Sequence, residues 1–229
     1  MKKRRFLSGQ MSDSFLVAAL VAFSGGFQDA YTYTCRGEVF ANAQTGNIVL
    51  MSSAVFDGDT KTVLKYIVPV LSFVFGTVIA EVVHIKFGGY THFHWRQTVL
   101  ACEIIILLAV GFLPNRLDRL ANALVSFVCA LQVQAFHKVK KHVYASTMCI
   151  GNLRSGTEAF CEFFHTGNRS ALGRALVYFG VIAVFALGAA SGNYMSVLLG
   201  TRAVWVCSAF LFAALCIMIV PEYAEEKKT

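Results

Sequence analysis

Polar and apolar positions in this chain fall into long blocks rather than short periods. Six apolar runs, at residues 14–33, 62–83, 98–113, 120–136, 175–191 and 203–220, are separated by segments that collect most of the charge. A bilayer core needs roughly 20 predominantly apolar residues per helix. Four of the runs meet or approach that length with little interruption, whereas 14–33 and 120–136 carry polar residues near their C-terminal ends. Pro69 lies within one run, which lipid-embedded helices tolerate better than soluble ones. Two further segments, 39–56 and 143–164, open with β-tolerant residues, pass through a Gly-Asn pair and continue as helix-compatible sequence.

The pattern repeats. At an offset of 105, Asp13 meets Asp118, Ala18 meets Ala123, Ala30 meets Ala135 and Tyr31 meets Phe136, while Asp29 meets Gln134 as a polar pair. After a one-residue slip, Val39-Phe40-Ala41 meets Val143-Tyr144-Ala145. The offset then returns, and Gly46-Asn47 meets Gly151-Asn152. At an offset of 112, Tyr66 meets Tyr178, Phe73 meets Phe185 and Gly76 meets Gly188. The same order of features over two stretches predicts an internal duplication.

Composition sharpens the membrane reading. Of the 229 residues, 56% are apolar and 14% charged, against about 25% charged in an ordinary soluble domain. A chain this short has too much surface to hide such an excess in a core, so lipid is the natural partner. The formal charge of +7 fits basic loops facing anionic lipid rather than nucleic acid. Lys2, Lys3, Arg4 and Arg5 precede the first run and read as the cytoplasmic flank of an uncleaved first span. The seven cysteines are odd in number and form no CxxC; they read as small core hydrophobes.

Charge also bears on the number of spans. If the Gly-Asn segments do not cross, six spans result, and Lys86, Arg96, Lys138, Lys140 and Lys141 fall on the cytoplasmic side, as basic residues prefer. If both cross, eight spans result and these residues move outside. The expectation is an all-α polytopic membrane protein of two homologous halves, 3+3 spans with a broken or re-entrant segment at each Gly-Asn; 4+4 is the alternative. Three spans per half make the repeats inverted. That plan is shared by many secondary transporters, whose sites lie at interrupted helices between the repeats. The expected divisions are a basic segment at 1–13, repeats at 14–113 and 114–221, and a charged tail at 222–229.

Candidate chemistry concentrates at the breaks. Asp29 follows Gly25-Gly26-Phe27-Gln28, and a carboxylate at membrane depth calls for a partner or a water-filled cavity. Asn42, Gln44, Thr45 and Asn47 crowd together, with Thr45 as the expected N-cap of a helix starting at Gly46. Gly46 would admit a substrate or a second backbone, and a helix N-terminus would favour a polar or anionic group. Gln134, Gly151 and Asn152 occupy the matching places in the second half. Glu81, Glu103, Glu158 and Glu162 are the remaining acids within apolar surroundings, read chiefly as structural or interfacial. His92-Phe93-His94 supplies two metal ligands, which do not make a site. No catalytic motif asks for an enzyme, a cofactor or a metal.

The stretches Gly26-Phe27-Gln28-Asp29-Ala30-Tyr31-Thr32-Tyr33 and Val39-Phe40-Ala41-Asn42-Ala43-Gln44-Thr45-Gly46-Asn47 resemble the hallmark of the YoaK-type bacterial membrane proteins, a domain of unknown function. The segment at 145–152 is similar to that family's second block, with Cys149-Ile150-Gly151-Asn152 where Thr-Gly-Asn is usual. The resemblance implies a bacterial inner-membrane protein and supplies no substrate. The expected function is a small transporter or permease for a polar or anionic solute, bound where the repeats meet, with the N-terminus cytoplasmic. Six spans leave little scaffold, which favours a homodimer. The competing expectation is an assembly partner or sensor that docks through basic cytoplasmic loops.

Overall fold

The computed structural model describes residues 15–87, 95–136, 138–139, 142–143 and 149–219. The N-terminal basic cluster, His92, His94, His137, Lys140, Lys141, the 144–148 stretch and the 222–229 tail lie outside these residues. Eight α-helices follow one another: α1 (Phe15–Cys35), α2 (Gln44–Phe56), α3 (Thr60–Phe87), α4 (Trp95–Val110), α5 (Asp118–Ala135), α6 (Cys149–Thr166), α7 (Arg169–Leu199) and α8 (Val204–Ile219). Short 3-10 turns at Asn115–Leu117 and Gly200–Ala203 lead into α5 and α8. The six apolar runs correspond to α1, α3, α4, α5, α7 and α8, and the two Gly-Asn segments to α2 and α6. One small departure from an all-helical chain is the antiparallel pair β1 (Lys138–Val139) and β2 (His142–Val143), with Lys138 opposite Val143 and Val139 opposite His142.

The short helices join the long ones through the same device in both halves. Gly58 (φ 68°) follows α2 and Gly167 (φ 67°) follows α6, each in the left-handed region where a side chain would be strained. An Asx residue comes next. Asp59 accepts from the N–H groups of Lys61 and Thr62 at 3.1 and 3.2 Å, and from the Thr62 hydroxyl at 2.6 Å. Asn168 accepts from the Ser170 N–H at 3.0 Å. These are N-caps, and they start the two longest helices, α3 with 28 residues and α7 with 31.

Packing is unchanged in pattern when the halves are exchanged. α1 packs along α7 and α5 along α3; α2 lies on α3 and α6 on α7; α1 meets α8 as α5 meets α4; and α4 packs on α8. The two closest crossings are matched as well. A Cβ on Gly188 would collide with the Phe23 carbonyl of α1, and one on Gly76 would lie 2.6 Å from the Phe127 carbonyl of α5. Only glycine lets the backbones approach that closely.

Direction along the helices can be read from named contacts. Gln132 and Cys129 of α5 reach Val21 and Gln28 of α1, and Asn122 reaches Arg36 just past the end of α1, so α1 and α5 run antiparallel. Gln97 reaches Met218 and Trp205 reaches Leu108, so α4 and α8 also run antiparallel. α1 and α7 run parallel, as Thr34 meets Asn193 and Cys35 meets Ser196 beyond the Phe23–Gly188 crossing.

The centre is apolar, built on Val21, Phe27, Tyr31, Leu100, Leu107, Val128 and Leu211, all at or near zero exposure. The outside is apolar too. Leu64, Leu71, Val74, Phe75, Val78, Val82 and Ile85 stand exposed along α3, and Leu176, Leu187, Val197 and Leu198 along α7. Helices apolar on both faces are those of a membrane span or of a large core. Among the described residues, Thr60–Lys86 and Arg169–Ile219 (α7 continued through the 3-10 turn into α8) are long and apolar enough to cross a membrane. Only 22% and 33% of their most apolar windows are buried inside the molecule.

Candidate functional site

The chain leaves α1 at Cys35, turns through Gly37 and Glu38 with positive φ, and comes back against the helix it has just left. Asp29, only 7% exposed, receives it. Its carboxylate accepts the Asn42 N–H at 2.7 Å and lies beside the backbone of Ala41 and Ala43. Asn42 in turn donates to the Gly25 carbonyl at 3.2 Å. From the first turn of α2, Asn47 brackets Phe40: its Oδ1 accepts the Phe40 N–H at 3.0 Å and its Nδ2 donates to the Phe40 carbonyl at 2.7 Å. Gln44 accepts from Asn47 at 2.9 Å and donates to the Ala41 carbonyl at 2.7 Å.

Four sequence-predicted residues, Asp29, Asn42, Gln44 and Asn47, therefore converge in one polar knot. Thr45 does not join them. It is exposed, and α2 starts at Gln44 with Ala43 in the N-cap place and no side-chain cap. The expected cap fails because α2 begins one residue before Thr45, which puts Thr45 inside the first turn rather than in front of it. The space at Gly46 is filled by the Phe40 ring, 2.9 Å from where a Cβ would stand, rather than held open for a solute. Phe40 also stacks on Tyr33, with centroids 5.0 Å apart.

The second half contributes differently. Gln134, the counterpart of Asp29, donates to Glu81 of α3 at 2.5 Å. Asn152 is 3% exposed, while Gly151 is exposed, and a Cβ there would meet no other group within 4 Å. Cys149, the first residue of α6, lies within electrostatic range of Asp29. The starts of both short helices thus approach the same carboxylate.

Beside the knot lies a second polar group that the sequence pattern does not single out. Gln28 donates to Glu103 Oε1 at 2.9 Å and to Cys207 Sγ at 3.6 Å, and accepts from the Cys129 thiol at 2.8 Å. The Asn42 side chain lies beside that same thiol. Gln28, Glu103, Cys129 and Cys207 are each 0% exposed and come from α1, α4, α5 and α8. Several buried polar atoms here have no partner, among them Glu103 Oε2, Asn42 Oδ1, Ser24 Oγ and Gln132 Oε1. The available signal was Gln28 beside Asp29, but the two cysteines read as apolar filler. The other acids are at the surface: Glu158 pairs with Arg154 and Glu162 with Arg174, lining a polar cavity of about 280 Å³ with Ser155 and Tyr178.

A third cluster closes the far end of α1. Arg36, 1% exposed, donates to the Tyr31 hydroxyl at 2.8 Å and the Val110 and Leu113 carbonyls at 2.9 Å, and pairs with Asp118 at 3.0 Å. Its own carbonyl accepts from Asn122 at 2.8 Å. A guanidinium here satisfies carbonyls that the end of α4 leaves without intrahelical partners and complements that helix's dipole.

A family model described as a protein of unknown function, DUF1275, matches residues 17–217. The chain belongs to this family. The match takes in nearly the whole of the eight-helix arrangement, and the YoaK-type proteins that the Asp29 and Asn42–Asn47 stretches resemble are members of it. No curated protein and no solved structure matches the chain.

Proposed function

We propose that this protein is a small membrane transporter or permease for a polar solute, with its site where the two halves meet around Asp29. The carrying observation is a polar centre, buried among apolar helices, assembled from both halves beside the starts of two short helices. An acidic or polar group at such depth is costly unless it serves a path or a ligand. Asp29, Asn42, Gln44 and Asn47 form the proposed first-half wall, and Asn152 with the Cys149 end of α6 the second. The acids of the centre favour a neutral or cationic polar solute over an anionic one, since the loop N–H groups of residues 41–43 are already turned to the Asp29 carboxylate.

In the proposed arrangement α1, α3, α4, α5, α7 and α8 cross the bilayer and α2 and α6 enter without crossing. α2 has 13 residues, about 20 Å of helix, short of the roughly 30 Å hydrocarbon core. The antiparallel run of α1 and its counterpart α5 supports inverted halves. The basic N-terminus then faces the cytoplasm of a bacterial cell. The test is purified full-length protein in liposomes, offered labelled amino acids, nucleobases, polyamines and inorganic anions. Uptake of one class by the wild type, lost in Asp29→Asn and Asn47→Leu while melting stays cooperative, is the expected result. Absence of both uptake and ligand-induced stabilisation across the whole set would sink the reading.

A further inference from the structure

Glu103 stands apart from the solute knot and is the most completely enclosed acid among the described residues, at 0% exposure. One carboxyl oxygen accepts from Gln28; the other has no partner. Among the described residues, the groups facing it can be named. From α1 come Gln28 and, one residue on, Asp29, whose carboxylate is turned to the Asn42 loop. From α5 comes the Cys129 thiol and from α8 the Cys207 thiol, both close enough to sense its charge. α3 meets α4 at His84 against Trp95, eight residues back along the helix, about 12 Å away. No cation is among these groups.

An ionised carboxylate with a bare oxygen in such a place is strongly disfavoured. Something must neutralise it, and the surroundings decide what. A hard metal ion takes six or more oxygen ligands. Gln28 turns its amide N–H toward Glu103 rather than its oxygen, and no group of three metal-binding side chains occurs among the described residues. The unpartnered Oε2 suits an O–H.

We propose that Glu103 carries the coupling proton of this protein, an inference that rests on the transport reading above. Gln28 hydrogen-bonds both the carboxyl and the Cys129 thiol, that thiol lies beside Asn42, and the Asn42 N–H is held by Asp29. Loss of the proton from Glu103 changes what Gln28 must satisfy, and the rearrangement reaches the loop that holds the solute wall. The proton lost from Oε2 passes to water on one side of the membrane and is replaced from water on the other, so the step balances with no other reactant.

The experiment uses full-length protein reconstituted in lipid. Infrared difference spectra record the carbonyl band of a protonated carboxylic acid. Liposomes loaded with a pH-sensitive dye report proton entry when amino acids, nucleobases, polyamines or inorganic anions are added outside. The expected result is a protonated-acid band at neutral pH that disappears in Glu103→Gln and persists in Asp59→Asn. Solute-driven acidification should accompany it, lost in Glu103→Gln and regained in part in Glu103→Asp. A band unchanged by Glu103→Gln overturns the proposal whatever the transport result. Solute entry without proton entry overturns the coupling and leaves transport standing. No entry of any solute removes the transport reading and the coupling together.

Discussion

At Arg36 a full charge is withdrawn from water and matched by two backbone carbonyls, a phenol and a carboxylate. Removing one partner of such a buried pair typically costs about 3–5 kcal/mol, because the other is left uncompensated. Arg36→Met should therefore lower the melting temperature far more than Arg154→Met, whose pair with Glu158 is exposed. Restoring neutrality with Arg36→Met and Asp118→Leu together should recover part of the loss, as a thermal-shift series in detergent would reveal; equal melting of all three would remove Arg36 from any structural role. Asp29 differs in kind. Its carboxylate holds a loop, so Asp29→Asn keeps the size while weakening the bond to the Asn42 N–H. That change should raise backbone hydrogen exchange at 41–43 before it alters global stability. The sequence marked Asp29 by position and the Asn42–Asn47 cluster by density. It could not mark Arg36, Cys129 or Cys207, because each has partners more than 70 residues away that the sequence order does not bring together.

At the scale of single elements, the two connectors that follow the short helices are built alike. Gly58-Asp59 and Gly167-Asn168 do the same work with one atom changed, an acid in the first half and an amide in the second. The Thr62 hydroxyl and neighbouring N–H groups hold the Asp59 carboxyl below its usual range. The unfolded chain thus takes up the proton more readily than the folded one. The cap's contribution is present above the ordinary aspartate pKa and fades as pH falls through the lowered folded value. Asp59→Asn, which copies Asn168, should melt like the wild type at neutral pH and lose less in acid. A steeper acid loss in the variant would contradict this. The crossings make a harsher prediction. Gly188→Leu puts a side chain into the Phe23 carbonyl, and overpacking of this kind costs about 1–3 kcal/mol or more. Gly173→Leu, with no other group within 4 Å of its Cβ position, should be tolerated; comparable loss of folded protein in both would argue against close packing at Gly188. The helices themselves were legible from apolar run length. Their starts were less so: Thr45 looked like a cap because a hydroxyl precedes Gly46, yet α2 already begins at Gln44 and the Asp29 carboxylate of α1 holds the loop just before it.

For the whole molecule, the decisive question is which side of the membrane each connector faces. In the proposed arrangement Asp59 and Asn168 lie on opposite sides, whereas eight spans would put them on the same side. Single cysteines at 59 and 168 in a cysteine-free background, labelled in intact cells with an impermeant thiol reagent, distinguish the two. Labelling at 59 alone fits the proposal; equal behaviour at both positions contradicts it. Block length in the sequence carried the helical, apolar character of the chain, but not the pairing by which α1 lies on α7 and α3 on α5, since apolar runs are silent about their neighbours. That pairing has a consequence for synthesis. When the ribosome has finished the first half, α1 is already made and the helix it packs against is more than 130 residues from it in the chain. Each half is a lock without its key, so neither should resist proteolysis alone. Two separately encoded pieces, cut between Val110 and Asp118 and produced in one cell, should find each other and regain resistance. The join between them would then be a convenience of the gene rather than a requirement of assembly.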